Sequence, residues 1–349
     1  MRARTAYRVR VVAGVTIVSA IISAGFASRY SMSRATILSG VATGALIGVA
    51  IASLEILLQG PAASTLRRLP MPAVFLLRSA IYGGIFVGAN ASVALLLQQL
   101  SMPGSPVRTL AAFDPGNLLF FVAVALAFNF VFVLRGLLGG RTLIALLTGR
   151  YHRPKSEERI VLFLDLCGST ELAERLGDEA FHRFLNRVFF DVTEPVLDAG
   201  GEIYRYVGDE IIVTWPRAKG AHDAAAIACL FAIEDALARG RAEYRRRFGA
   251  EPRLRCALHA GPLIVGEMGD IKREIVMLGD TMNTAARIEE ACRTTGRDMI
   301  ASSSLLHAMR SLPPDVRAEP LGTIPLRGKQ EGLDLFALSQ SSNRMKLSV

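Results

Sequence analysis

Four long, mostly apolar runs fill the first 134 residues of this chain, at about 11–28, 36–58, 76–99 and 115–134, interrupted only by Glu55 and Arg78. No other feature restricts the fold so strongly. In hydrocarbon every backbone N–H and C=O needs a partner within the protein, so a single apolar run of about 18 residues or more is read as a spanning helix. Residues 1–134 are therefore expected to form an all-α transmembrane bundle of four spans. A cleavable signal peptide also fits a basic start followed by one apolar stretch, but three further spans favour a retained anchor.

Charge is divided unevenly between the two halves. Thirteen arginines against Glu55 and Asp114 precede Tyr151, a net of +11, whereas residues 151–349 hold 27 basic and 29 acidic side chains, a net of −2. The basic excess belongs to the membrane half and not to a nucleic-acid-binding face, so no nucleic-acid partner is expected. Arg2, Arg4, Arg8 and Arg10 precede the first span, Arg67 and Arg68 separate the second and third, and Arg135, Arg141 and Arg150 follow the fourth. The positive-inside rule then places both termini and the whole C-terminal half in the cytoplasm, on a multi-pass protein of the cell membrane. Glu55 and Arg78 fall near the inner ends of their spans, where long side chains snorkel, and are read as interfacial charges.

Residues 135–157 read as a juxtamembrane linker helix that either pairs with its counterpart in a second subunit or lies on the membrane surface. Beyond it, Ile160–Leu164 has the run of a buried strand, and Asp178–Leu197 reads as a helix with Phe181, Leu185, Val188 and Val192 on its core face. Glu202–Val207 and Ile211–Trp215 form a hairpin around Gly208-Asp209-Glu210, and His222–Phe248 is a long helix with a solvated basic end. Arg253–His259, Pro262–Glu267, Glu274–Leu278 and Leu333–Leu338 are further strands, and Asp280 is expected to cap a helix over Thr281–Arg293. This order predicts an α+β domain over 158–340, not a doubly wound sheet, followed by a disordered tail at 341–349. Cys167, Cys229, Cys256 and Cys292 lack metal-site spacing and read as packing residues.

The chemistry resides in four side chains. Asp165 closes one strand and Asp209 sits at the hairpin tip, positions from which carboxylates hold hard divalent cations. Asn283 and Arg287, four residues apart, project from one helix face. A metal together with a guanidinium points to phosphoryl or nucleotidyl transfer. Taken singly each residue has a plainer reading: Ser169 or Thr170 capping a helix after Asp165, a common Gly-Asp turn at Asp209, a surface amide at Asn283, and an ion pair from Arg287 to Glu290 or Glu267. Strand alternation turns Glu210 away from Asp209, so no metal is assigned to it.

In combination with Gly279-Asp280-Thr281-Met282-Asn283-Thr284-Ala285-Ala286-Arg287, the segment from about Glu158 to Leu338 resembles the class III nucleotidyl cyclase catalytic domain, the adenylate and guanylate cyclases. That resemblance implies a ferredoxin-like, palm-type α+β fold. It also implies two Mg2+ or Mn2+ ions per site, held by Asp165, Asp209 and the Leu166 carbonyl. One would acidify the ribose 3′-hydroxyl, and the other would hold the triphosphate during in-line attack on the α-phosphorus, releasing pyrophosphate. Asn283 would orient the ribose and Arg287 would stabilise charge on the α-phosphate. Lys329, with Arg327 as its nearest competitor, would lie near the β- and γ-phosphates. The family's aspartates and its Asn and Arg come from different subunits, which implies a head-to-tail homodimer.

At the base-recognising positions the chain departs from the family. Arg205 and Val276 stand where adenylate cyclases of the common type carry Lys and Asp or Thr, and where guanylate cyclases carry Glu and a small polar residue. Arg205 can donate to adenine N1, but Val276 cannot bond an exocyclic amine; Lys272 is near enough in sequence to substitute. The expectation is a membrane-anchored adenylate cyclase that converts ATP to 3′,5′-cyclic AMP and pyrophosphate. A guanylate or relaxed-specificity cyclase, and a catalytically silent nucleotide-binding sensor, are the alternatives. A diguanylate cyclase, suggested by Val207-Gly208-Asp209-Glu210-Ile211, lacks the glycine and phenylalanine of that hairpin and has no use for Asn283 and Arg287. Besides ATP and the lipid bilayer, an unidentified sensory ligand or membrane partner is expected.

Overall fold

Runs too apolar for water and too long for a core helix become helices here. A computed structural model describes residues 3–58, 69–99, 115–325 and 332–340 of this protein, and the chain divides into two units between Leu147 and Thr148. Arg327, Lys329 and the 341–349 tail lie outside the described residues.

The first unit contains α1 (Ala3–Ser28), α2 (Arg34–Leu58), α3 (Met71–Gln99) and α4 (Pro115–Leu138), followed by the short α5 (Gly140–Leu147). The first four are long and apolar enough to cross a membrane. Helices in lipid gain little from hydrophobic burial against one another, so small residues that let backbones approach decide the packing. Gly40, Gly44 and Gly48 of α2 supply that surface: a Cβ on Gly44 would stand 2.3 Å from the Ser19 carbonyl oxygen of α1. Ile47 and Ile51 of α2 pack with Tyr82, Phe86 and Ala89 of α3 and Ala125 of α4.

Glu55 and Arg78, read from the sequence as interfacial charges, meet each other within the bundle. Glu55 is 4% exposed and accepts a hydrogen bond from the Tyr82 hydroxyl, with Arg78 Nη1 3.3 Å from the same carboxylate. Arg78 and Tyr82 are one turn apart on α3, so that helix offers two donors to one acceptor and the charge is satisfied by protein instead of water. Close by, the Asn129 amide of α4 donates to the Phe75 carbonyl and the Ser79 hydroxyl of α3 at 2.7 and 2.8 Å.

Where the sequence suggests one linker helix over 135–157, α4 instead stops at Leu138, Gly139 takes φ +82°, and α5 runs only to Leu147. Residues 155–157 already belong to a strand.

The second unit is built on β1 (Lys155–Leu166), α6 (Ser169–Leu176), α7 (Asp178–Asp198), β2 (Glu202–Val207), β3 (Glu210–Pro216), α8 (Ala225–Phe248), β4 (Leu254–Met268), β5 (Glu274–Leu278), α9 (Asp280–Thr295), β6 (Met299–Ser302), α10 (Ser303–Ala308), β7 (Val316–Ile324) and β8 (Leu333–Gln340). The strands form one mixed sheet in the order β2-β3-β1-β4-β6-β8-β7, with β5 paired to β4. Among the described strands only β4 and β6 run parallel, which is the α+β arrangement expected.

Because β1 is central, both its faces are buried. Ile160, Leu162, Leu164 and Leu166 enter a core with Phe184 and Val188 of α7, Trp215 of β3 and Tyr244 of α8. The alternate residues Val161, Phe163 and Asp165 face the other way, where α9 packs on β1 and β4. This alternation puts a carboxylate at the end of a buried strand.

Two boundaries differ from the sequence reading. Arg253–His259 and Pro262–Glu267 merge into the single strand β4, because Pro262 falls between the ladder to β6 at Cys256–Leu258 and the ladder to β5 at Ile264–Met268. The N-cap of α9 is Gly279, not Asp280, which lies in the first turn and accepts from the Thr284 hydroxyl.

Candidate active site

A two-residue turn at Gly208-Asp209 joins β2 to β3, with Gly208 at φ +62°. Glycine at the first central position meets that conformation without steric cost, which leaves Asp209 half-buried at the tip. Register then decides what surrounds Asp165. Phe163 pairs with Ile212 and Leu164 with Ile211, so Glu210 falls on the same sheet face as Asp165. Asp209 belongs to the turn and Glu210 begins β3, and cross-strand register brings Glu210 toward Asp165.

Arg255 sits directly opposite Asp165 on β4. Its Nη1 lies 3.3 Å from Asp165 Oδ2, and Arg293 of α9 reaches the same oxygen at 3.1 Å. Glu289, one turn before Arg293, is 8% exposed. Burial, then the charge of Asp165, push its carboxyl up to about 7 against the opposing pull of Arg293. Burial and the charges of Glu289, Asp165 and Asp209 likewise raise Glu210 to about 7. Four carboxylates thus crowd one end of the sheet, and two arginines offset them incompletely.

A divalent cation suits this donor set. Hard cations prefer oxygen, and magnesium is usually held by one or two carboxylates together with substrate phosphates. Among the described residues no group of three or more His, Cys, Asp or Glu side chains forms a ready-made cage. Burial comes first in raising the Glu210 and Glu289 carboxyls, and the neighbouring carboxylates add to it, a negative field that a bound cation would relieve. Leu166, next to Asp165, is 2% exposed and ends β1. Gly168, with φ +67°, opens α6, and neither Ser169 nor Thr170 caps it.

Asn283 and Arg287 belong to a different side of α9. Asn283 is exposed, and Arg287 pairs with Glu290 at 2.7 Å. At about 100° per residue Arg287 stands about 160° around the helix from Glu289, the residue turned toward Asp165. One chain therefore carries the aspartates and the Asn-Arg pair without joining them.

Arg205 and Val276 lie on β2 and β5, which pair with different strands but approach closely: Met277 N–H donates to the Tyr204 hydroxyl at 2.9 Å. Arg205 forms an ion pair with Glu274, and Lys272 Nζ reaches the other oxygen of that carboxylate at 2.6 Å. Sequence reasoning missed Glu210, Arg255, Glu274, Glu289 and Arg293. All five depend on strand register or on which side of a helix meets the sheet.

Residues 152–340 match the family described as the adenylate and guanylate cyclase catalytic domain. Adenylate cyclase 2 of Rhizobium meliloti (strain 1021) is 40% identical over 275 residues, covering 78% of this chain and 75% of that protein. Adenylate cyclase 1 of the same organism is 28% identical over 191 residues, 52% of this chain and 27% of that protein. Among solved structures, a bacterial light-regulated adenylyl cyclase aligns with a TM-score of 0.53 at 20% identity, covering 64% of this chain and 65% of that one. This likeness bears on the fold.

Proposed function

This chain belongs to the adenylate and guanylate cyclase catalytic-domain family and is a nucleotidyl cyclase; on that premise we propose that it converts ATP to 3′,5′-cyclic AMP and pyrophosphate as a membrane-anchored homodimer. The carrying observation is the separation of two half-sites on one chain, Asp165 at the end of β1 and the Asn283–Arg287 face of α9. A second copy supplies the missing half to each, which makes two equivalent composite pockets.

In this reading residues 1–134 anchor the protein, 135–157 connect, and 158–340 catalyse from the cytoplasmic side. Asp165 and Asp209, with the Leu166 carbonyl, would hold Mg2+ or Mn2+, which when bound supplies charge that acidifies the ribose 3′-hydroxyl and neutralises the triphosphate. Asn283 of the partner subunit fixes the ribose so that the 3′-oxygen faces the α-phosphorus. The 3′-hydroxyl proton passes to solvent, a bond forms from that oxygen to the α-phosphorus, and the bond to the bridging oxygen of the β-phosphate breaks to release pyrophosphate. Arg287 of the partner subunit meets the negative charge that builds on the α-phosphate, an interaction strongest in the transition state. Arg205 and Val276 line the base, and Lys329 or Arg327 approaches the terminal phosphates.

Val276 keeps a second reading open, a cyclase that also accepts GTP, because a side chain without hydrogen-bonding atoms enforces no preference. The test is product identification after incubating the purified full-length protein with ATP or GTP and Mg2+ or Mn2+. Cyclic AMP as the main product, lost in Asp209→Ala, supports the proposal. Nucleotide binding without any cyclic product overturns it in favour of a silent sensor.

A further inference from the structure

β2 and β5 are bridged by side chains at one place. The Arg205 guanidinium lies over the Tyr204 ring, 5.5 Å from its centroid, and pairs with Glu274, while Tyr204 itself takes the Met277 N–H. Successive residues of a strand alternate, so Glu274 and Val276 share one face of β5. The side chains of Arg205 and Glu274 are 41% and 39% exposed, which leaves both open to a ligand.

A guanidinium only donates and a carboxylate only accepts. Side by side they form a donor next to an acceptor. Adenine offers the complement along one edge, a ring nitrogen that accepts beside an exocyclic amine that donates. Guanine reverses this order, with a ring N–H that donates beside a carbonyl that accepts. Arg205 opposite the ring nitrogen therefore suits adenine and opposes guanine, provided that an acceptor meets the amine. Val276 is not one.

We infer that Glu274 is that acceptor, and that the Arg205–Glu274 pair is the adenine-reading device of this protein. The inference rests on the nucleotidyl-transfer reading above. Arg205 has five donor positions and the carboxylate about four acceptor sites, so each keeps capacity for the base while bonded to the other. Lys272, on the second carboxylate oxygen, holds the acceptor in place and does not read the base.

Initial rates of the full-length protein with ATP, GTP and purine riboside triphosphate, which lacks the exocyclic amine, test this for wild type and Glu274→Ala. Loss of a hydrogen bond to a charged acceptor predicts a fall of about tenfold in kcat/KM for ATP. The purine analogue should be used equally by both proteins, and GTP use should not fall. A fall of equal size for ATP and the purine analogue would mean that Glu274 only supports the strand pair, and would overturn the inference. So would an unchanged ratio of ATP to GTP, or a larger loss with GTP. If wild type cyclises none of the three, the nucleotidyl-transfer reading itself fails and the inference falls with it; product formation by wild type with an unaltered ratio in Glu274→Ala defeats the inference alone.

Discussion

Arg293 lies 3.1 Å from the Asp165 carboxylate, whereas Arg287, six residues earlier on the same helix, pairs with Glu290. One helix thus presents a cation to the proposed metal ligand of its own chain and a second cation to another side. Arg293 is 58% exposed, so its field is partly screened.

A fixed positive charge beside a cation site weakens cation binding. Arg293→Gln should therefore lower the Mn2+ concentration for half-maximal binding by about twofold to fivefold, the effect of a partly screened charge a few ångströms away. Loss of the free-Mn2+ paramagnetic signal on titrating the detergent-purified protein measures it. Weaker binding in the variant would mean that Arg293 serves to orient Asp165.

Composite pockets make a stoichiometric prediction. Asp209→Ala and Arg287→Ala should each be nearly inactive, and a mixture of the two should recover about a quarter of wild-type activity, since half the dimers are mixed and each has one intact pocket. Cyclic nucleotide formation after mixing in detergent reads this. No recovery under conditions where subunits demonstrably exchange would contradict the split site.

The α1–α2 contact admits no extra atoms at Gly44. Gly44→Val should destabilise the membrane unit by about 1–3 kcal/mol, the usual cost of overpacking. Gly84→Val, where nothing lies within 4 Å of an added Cβ, is the control. Thermal unfolding in detergent compares them, and equal melting temperatures would refute the close packing.

Glu289 titrates at about 7 in the folded protein against an ordinary value of 4.5. Between these values the folded state binds more protons than the unfolded one, so this group's contribution is greatest below about pH 4.5 and is lost as pH rises through about 7. Metal-free Glu289→Gln should therefore gain stability relative to wild type at pH 8 compared with pH 5. Melting curves in EDTA at both values test this, and a constant difference would exclude the shift.

Much of this protein was legible before folding was considered. Asp165, Asp209, Asn283 and Arg287, the residues of the proposed site, stood out because residue type and spacing alone suggest the chemistry of metal and phosphate. The helical spans followed from run length, since a bilayer leaves a single apolar run no other structure. The sheet order did not follow, and neither did the continuity of β4 through Pro262, because pairing between distant strands leaves no local pattern.

The amino-acid order by itself determined the four long apolar helices and the α+β class, and it singled out the residues of the proposed metal-and-guanidinium chemistry, all of which rest on periodicity, composition or short spacing. Tertiary structure alone decided that Glu55 is enclosed by Tyr82 and Arg78, that Glu210, Glu289, Arg255 and Arg293 surround Asp165, and that Glu274 stands beside Arg205. The physical reason is the same in each case: a side chain's electrostatic surroundings are set by register and helix rotation between segments 23 to 128 residues apart in the chain, and a shift of one residue would send a strand group to the opposite face of the sheet and turn a helix group about 100° around its axis.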